Sequence, residues 1–254
     1  LVPLLWITIY AADGVLLLRE VIRLQISDEK SRESIVKRAD AILKEIGADT
    51  HAWLSDVSLI GFDQRLGAFG DELKQSLTDK EMLRLDQCRD AVFEHDQARR
   101  EPRRLERVDM AVRLVRWLQE NRKKGPSAPA SFAEAMQRYS TEGSFVDWAR
   151  WTLRNGDAVA TLADAYSMLF TACQTLQEQR AKDFAGLLQD WTAAGSKGAK
   201  PVPVEKVLSH VVAPLAKRRP ILLILMDGMS AAVFNPLVEE ITKREWMLLR
   251  ETND

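Results

Sequence analysis

Apolar residues recur at intervals of three and four along most of this chain, the spacing that gives a helix one buried face. The longest run covers 158–194. There Val159, Leu162, Tyr166, Leu169, Cys173, Leu176, Phe184, Leu187 and Trp191 share a single stripe with Arg180. Unbroken, that helix is about 55 Å long. A stripe held so far implies an antiparallel helix partner or a coiled-coil-like seam, and the helix around 105–118 is a candidate partner. A second amphipathic segment covers 29–46, with Ile35, Ala39, Ile42 and Ile46 on one face and Gly47 closing it. Thr78 with Glu81 forms a capping-box pattern that opens a helix running to about 97. Pro102 suits a helix first turn, and Leu105, Val108, Val112, Val115 and Leu118 continue one face. Ser131 with Glu134 opens a short helix to 139. Ser144 with Asp147 caps another, where Phe145, Trp148 and Trp151 read as packing residues and Asn155-Gly156 is the stop. Residues 4–25 are strongly apolar and hold one helix or two about Gly14. Residues 49–70 carry Gly61, Gly67 and Gly70 and are expected to be irregular.

Near the C-terminus the pattern changes. Residues 221–226 are six consecutive apolar residues, followed by Asp227, Gly228 and a helix-like segment over 230–244. A buried parallel strand reads this way, with its last carboxylate at the sheet's C-terminal edge, where ligands and metals collect in open α/β folds. A helix over 205–217, interrupted near Pro214, precedes the strand. Two linkers stand out by composition, 125–129 and 195–201. The expected fold is therefore mainly α. A helical bundle region occupies 1–200, with a sub-boundary near 125–130. The first β–α elements of an incomplete α/β domain occupy 201–254. A parallel sheet needs more strands than these residues supply.

Composition narrows the function classes. The formal net charge of −1 argues against global electrostatic capture of nucleic acid or membrane. Cys88 and Cys173 match no disulfide or zinc spacing and suit a reducing cytoplasm. No uninterrupted run reaches the roughly 20 apolar residues of a spanning helix. The chain opens on Leu1 with no signal-peptide layout, and it reads as a piece of a longer protein.

Among chemistry-bearing residues Asp227 stands first. A carboxylate at a strand end can bind a divalent metal, and Gly228 lets the backbone turn beside it; the same pair also fits a plain turn. No P-loop accompanies it, and Met229 occupies the position where a haloacid-dehalogenase phosphatase needs its second Asp. Ser230 reads as a helix N-cap, since no base is placed to activate it. Asp49 and His51 have metal-ligand spacing, but two ligands fall short of a catalytic zinc site and a loop or cap role fits them. His95, between two acids, reads as a solvated helix residue, and His210 as a helical residue beside the linker. Residues 99–124 carry ten basic residues and four acidic ones. Such a helix either follows phosphates, with Arg103, Arg104 and Arg107 as its contacts, or presents a solvated face.

The segment 221–232, ILLILMDGMSAA, resembles the opening strand of the PglZ domain in the alkaline phosphatase superfamily. Residues 144–151, SFVDWARW, and 211–216, VVAPLA, are similar to the PglZ proteins of bacteriophage exclusion (BREX) systems, in their type 2 branch. The resemblance covers about residues 144–240. It implies bacterial antiviral defence in the cytoplasm, beside other BREX proteins that include a DNA methyltransferase. It also implies a metal-dependent phosphoesterase in the intact protein, with zinc the expected divalent metal and Asp227 one of its ligands. The family's nucleophile, a Thr or Ser, and its later Asp and His ligands are not matched. Thr242 and Thr252 lie in the remaining segment without a nucleophile's surroundings. This chain alone is thus expected to be catalytically incomplete and to hold no metal. The alternative is a helical scaffold or DNA-contacting module without hydrolase activity, docking through the long helix of 159–191.

Overall fold

The computed structural model describes residues 29–78, 82–124, 128–196 and 201–247. Nine α-helices run through them: α1 Glu29–Glu45, α2 Leu59–Ser76, α3 Leu83–Phe93, α4 Pro102–Lys124, α5 Phe132–Arg138, α6 Ser144–Leu153, α7 Ala160–Ala193, α8 Ala213–Ala216 and α9 Ala231–Thr242. Turns of 3-10 helix lie at Asp49–Leu54, Asp96–Arg100 and Val204–Lys206, and π turns at Tyr139–Gly143 and Leu208–Val212. There is no strand among the described residues. The mainly α class holds. None of the described helices is long and apolar enough to cross a membrane.

Contacts group the chain into two compact units. One comprises residues up to Glu120 with Thr152–Phe170, the other Asn121–Trp151 with residues from Thr171 onward. The periodic segments form helices, as their spacing predicts. α1 ends at Gly47, whose φ of 68° lets the chain turn back so that Ala48 N–H reaches the Leu43 carbonyl at 2.8 Å. α4 starts on Pro102 and buries Val108, Val112, Val115 and Leu118. α7 buries Leu162, Tyr166, Leu169 and Cys173, and the stripe becomes half-exposed from Leu176 on. Ser131 caps α5 by accepting from Glu134 N–H at 3.2 Å, and the Glu134 carboxylate accepts from Ala130 N–H at 2.8 Å. The apolar residues 4–25, the Glu81 half of the other capping box and most of the first linker lie outside the described residues.

The first unit departs from its pattern at several points. On α1 the expected face of Ile35, Ile42 and Ile46 is exposed, and Val36 and Asp40 turn inward. Asp40 is buried because it caps α2: it accepts from Ser58 Oγ at 2.5 Å and from Leu59 N–H at 2.9 Å. Ser58 Oγ in turn accepts from Gly61 N–H at 3.1 Å. A carboxylate at a helix N-terminus answers unpaired N–H groups and complements the helix dipole. The segment expected to be irregular is largely α2 itself, with all three glycines inside the helix. They serve close approach. A Cβ on Gly61 would lie 2.3 Å from the Ala52 carbonyl oxygen, and one on Gly70 would lie 2.8 Å from Leu162 Cα. α3 stops at Phe93, four residues short of expectation, and a 3-10 turn follows.

That turn is capped by His95, which is 1% exposed, not solvated. Its Nδ1 accepts from Gln97 N–H at 3.0 Å, its ring lies 5.1 Å from Phe62, and Nε2 finds no partner. Burial first, and then the nearby Arg65 guanidinium, pull the imidazole down to about 4, against the opposing pull of Asp56, Asp96 and the Ser55 carbonyl. Its folded value is therefore below its unfolded one. The stability it contributes is complete above the unfolded value and is lost as pH falls from there toward about 4.

We expect the urea midpoint to fall between pH 6.5 and 4, and His95→Leu to flatten that slope, as read in denaturation curves over this range. Gly70→Ala, which drives a methyl into the α7 backbone, should destabilise by about 1–3 kcal/mol in the same assay.

Candidate functional site

The Asp227 turn lies in the second unit. Residues 221–226 carry no helix and no ladder, so the predicted strand is not formed. The physical reason is pairing: a parallel strand exists only through hydrogen bonds to neighbouring strands, and the described residues provide none. The segment is exposed throughout, with Leu222 at 83% and Leu225 at 87%. Asp227 and Gly228 form a turn, and Gly228 takes a φ of 71°, a conformation that costs glycine nothing. The predicted helix follows as α9. Ser230 stands at its N-cap with extended backbone but makes no side-chain capping bond. Asp227 is exposed and has no hydrogen-bond or ion-pair partner among the described residues.

No group of three or more His, Cys, Asp or Glu side chains is placed to hold a metal ion among the described residues. Asp227 therefore supplies a single ligand where catalytic zinc takes about three. The described donor set does not fit a metal centre. Asp49 and His51 sit together on the 3-10 turn after α1, where Asp49 is in the first turn and its carbonyl accepts from Gln64 Nε2 at 2.8 Å. The N-cap of that turn is Ala48. His210 lies in the Leu208–Val212 π turn with Ser209 Oγ 2.9 Å from its Nδ1. Thr242 donates to the Val238 and Glu239 carbonyls, the back-bonding of a helix-end hydroxyl; Thr252 lies outside the described residues. Cys173 is buried and its thiol is pushed up to about 12, and burial also raises Cys88, so neither is a thiolate.

Asn235 of α9 donates to Ser144 Oγ at 2.9 Å and to the Ser140 carbonyl at 3.3 Å. Ser144 is not the helix cap that its sequence predicts. The chain passes from α5 through the π turn into α6 without a break, and Ser144 Oγ donates back to Ser140 O at 3.0 Å. α6 buries Val146, Ala149 and Leu153. Trp151, expected in the core, is 60% exposed.

The three arginines of the candidate DNA-contacting arm divide. Arg104 holds Asp157 with two bonds, Nε at 2.9 Å and Nη2 at 2.5 Å, and reaches Asp63 at 3.0 Å. Its guanidinium also lies 5.4 Å from the Phe62 ring centre. Arg107 Nη2 is 3.4 Å from the same Asp157 carboxylate, whose side chain is 1% exposed. Against its burial, Asp157 is held below the ordinary carboxylate range by Arg104, Arg107 and the Val159 N–H. Arg103 is exposed. Asp157 gave no sign in sequence beyond its place after Asn155-Gly156; only the fold shows it to be buried.

Compared with protein-family models, curated proteins and solved structures, the chain matches none.

Arg104→Ala should cost about 3 kcal/mol of stability by urea denaturation, because it strands a buried carboxylate. Arg103→Ala should change stability by less than about 0.5 kcal/mol.

Proposed function

We propose that this chain is the helical region and the first β–α elements of a PglZ-type protein of bacterial phage exclusion. In this reading the intact protein is a cytoplasmic, metal-dependent phosphoesterase acting beside a DNA methyltransferase and other defence proteins. One observation carries it: six consecutive large apolar residues lie exposed ahead of an Asp-Gly turn and a helix. Contiguous apolar surface of that kind marks an interface. A run apolar on both faces is the pattern of a parallel strand covered on both sides. The occupant we assign is further strands of the same protein. The neighbouring helical turns fit this cover, since Val204, Leu208, Val211 and Leu215 are exposed at intervals of three and four. α9 likewise exposes Val233 and Phe234. Asp227 would stand at the C-terminal lip of that sheet as one ligand of the metal, and the other ligands would come from elsewhere in the protein. The DNA-arm alternative has less support, because Arg104 and Arg107 are committed to a buried carboxylate.

The test is hydrolysis of bis-p-nitrophenyl phosphate, with and without zinc, by this chain and by the natural protein that contains it. We expect none from this chain. The longer protein should show metal-dependent turnover that falls at least about 100-fold in Asp227→Ala, since second-shell changes alone cost up to that much. Turnover by this chain alone, or a longer protein that binds metal and hydrolyses nothing, would overturn the reading; the latter would favour a scaffold.

A further inference from the structure

The second unit contains a cleft of about 470 Å³ between the α5–α6 segment and the second half of α7. That size falls within the range of small-molecule sites. The π turn shapes one wall. A Cβ on Gly143 would lie 2.6 Å from Tyr139 Cδ2, so the bare glycine lets the phenol ring lie against the backbone. Single π turns inside helices recur at functional sites. The other wall is one face of α7, where Gln174, Gln177, Ala181 and Phe184 follow at intervals of three and four. Most of the lining is apolar: Pro129, Ala135, the rings of Tyr139 and Phe184, and side-chain stems.

The charges in the cleft fall into two groups. The arginines are answered from within: Arg150 pairs with Asp147 at 3.3 Å, Arg180 with Glu142 at 3.2 Å and Arg138 with Glu142 at 3.7 Å. Asp147 also accepts from Tyr139 Oη at 3.0 Å and Gln177 Nε2 at 3.3 Å. The carboxylates of α7 are not answered. Glu178 accepts only the Gln174 amide at 2.7 Å and Asp183 only the Gln179 amide at 3.2 Å. Lys182, one turn beyond Glu178, makes no ion pair with it among the described residues. Counting Glu142, four carboxylates stand against three arginines, and Glu178 and Asp183 are the two outside the ion pairs; the cleft is also bounded by two aromatic rings, whose faces attract cations. Burial, and then the Asp147 carboxylate, hold the Tyr139 phenol above its ordinary range.

We propose that this cleft binds an organic cation on an apolar body, a protonated amine or a guanidinium. The apolar part would lie between Tyr139, Ala181 and Phe184, and the charge would face Glu178 and Asp183. The source is either a free small amine or a basic side chain of a peptide. The inference is independent of the hydrolase reading.

Calorimetric titration of this chain tests it. The probes are tryptamine, its neutral counterpart tryptophol, its anionic counterpart indole-3-acetate, and a capped Leu-Arg-Leu peptide beside its citrulline analogue. We expect each cation to bind about tenfold tighter than its neutral counterpart. Glu178→Gln with Asp183→Asn should abolish that preference, with folding checked by circular dichroism and thermal melting. Gly143→Leu should displace the Tyr139 ring and weaken all probes. Binding of the peptide alone assigns the site to a protein partner, and binding of tryptamine assigns it to a small cation. Equal or tighter binding of the neutral or anionic probes, or no binding at millimolar concentration, would overturn the proposal.

Discussion

A carboxylate buried in the first unit cannot stand alone, and Asp157 imposes that constraint on everything around it. An isolated charge at 1% exposure would neutralise or unfold its surroundings. Arg104 and Arg107 therefore have to be present, one turn apart at the start of α4, and Val159 N–H has to point back at it. These demands fix the turn after Gly156 and hence the position where α7 begins. The same region carries the close approach of α2, where Gly67 faces the Thr161 side chain and Gly70 faces the Leu162 backbone with no room for a Cβ. Tyr166, nearly two turns into α7, is buried beside this cluster, and burial and the Asp157 charge raise its phenol. Charge, backbone approach and apolar burial all depend on the placing of one acid.

Helix existence was legible because periodicity is a property of single segments. α1, α4, α5, α7 and α9 all lie where apolar spacing and punctuation put them. What failed depends on a second segment. Three glycines in 49–70 read as a loop; they are helical, and at Gly61 and Gly70 the hydrogen stands where another backbone passes. Asp40 is not singled out by the spacing of its own segment and is the cap of a different helix. Ser144 has a capping pattern, but the chain before it is already helical, so there is no free N-terminus to cap. His95 sits between two acids in sequence, yet its ring packs on Phe62. Local pattern records what a residue can do, and tertiary neighbours decide which of those options is used.

The C-terminal part makes the same distinction sharper. Helices satisfy their backbone internally, so 204–216 and 231–242 coil regardless of what lies beside them. A strand cannot. Residues 221–226 have the composition of a buried parallel strand, and without neighbours they have neither its hydrogen bonds nor its cover. The apolar content of this run survives as exposed surface.

Arginines in α4 and acids on α7 show why the sign of a charge in sequence says little about its use. Between 99 and 124 the excess of basic residues suggests an anionic partner, yet two of the three arginines that spacing singles out are spent on Asp157. Around the cleft the formal charges nearly cancel, yet the pairing is uneven: the arginines are consumed by Glu142 and Asp147, and Glu178 and Asp183 receive only amides. An amide donor satisfies a carboxylate's hydrogen bonding without neutralising its charge. What a surface offers a partner therefore depends on internal pairing, which lowers the free positive charge over α4 and leaves Glu178 and Asp183 as the unpaired acids of the cleft.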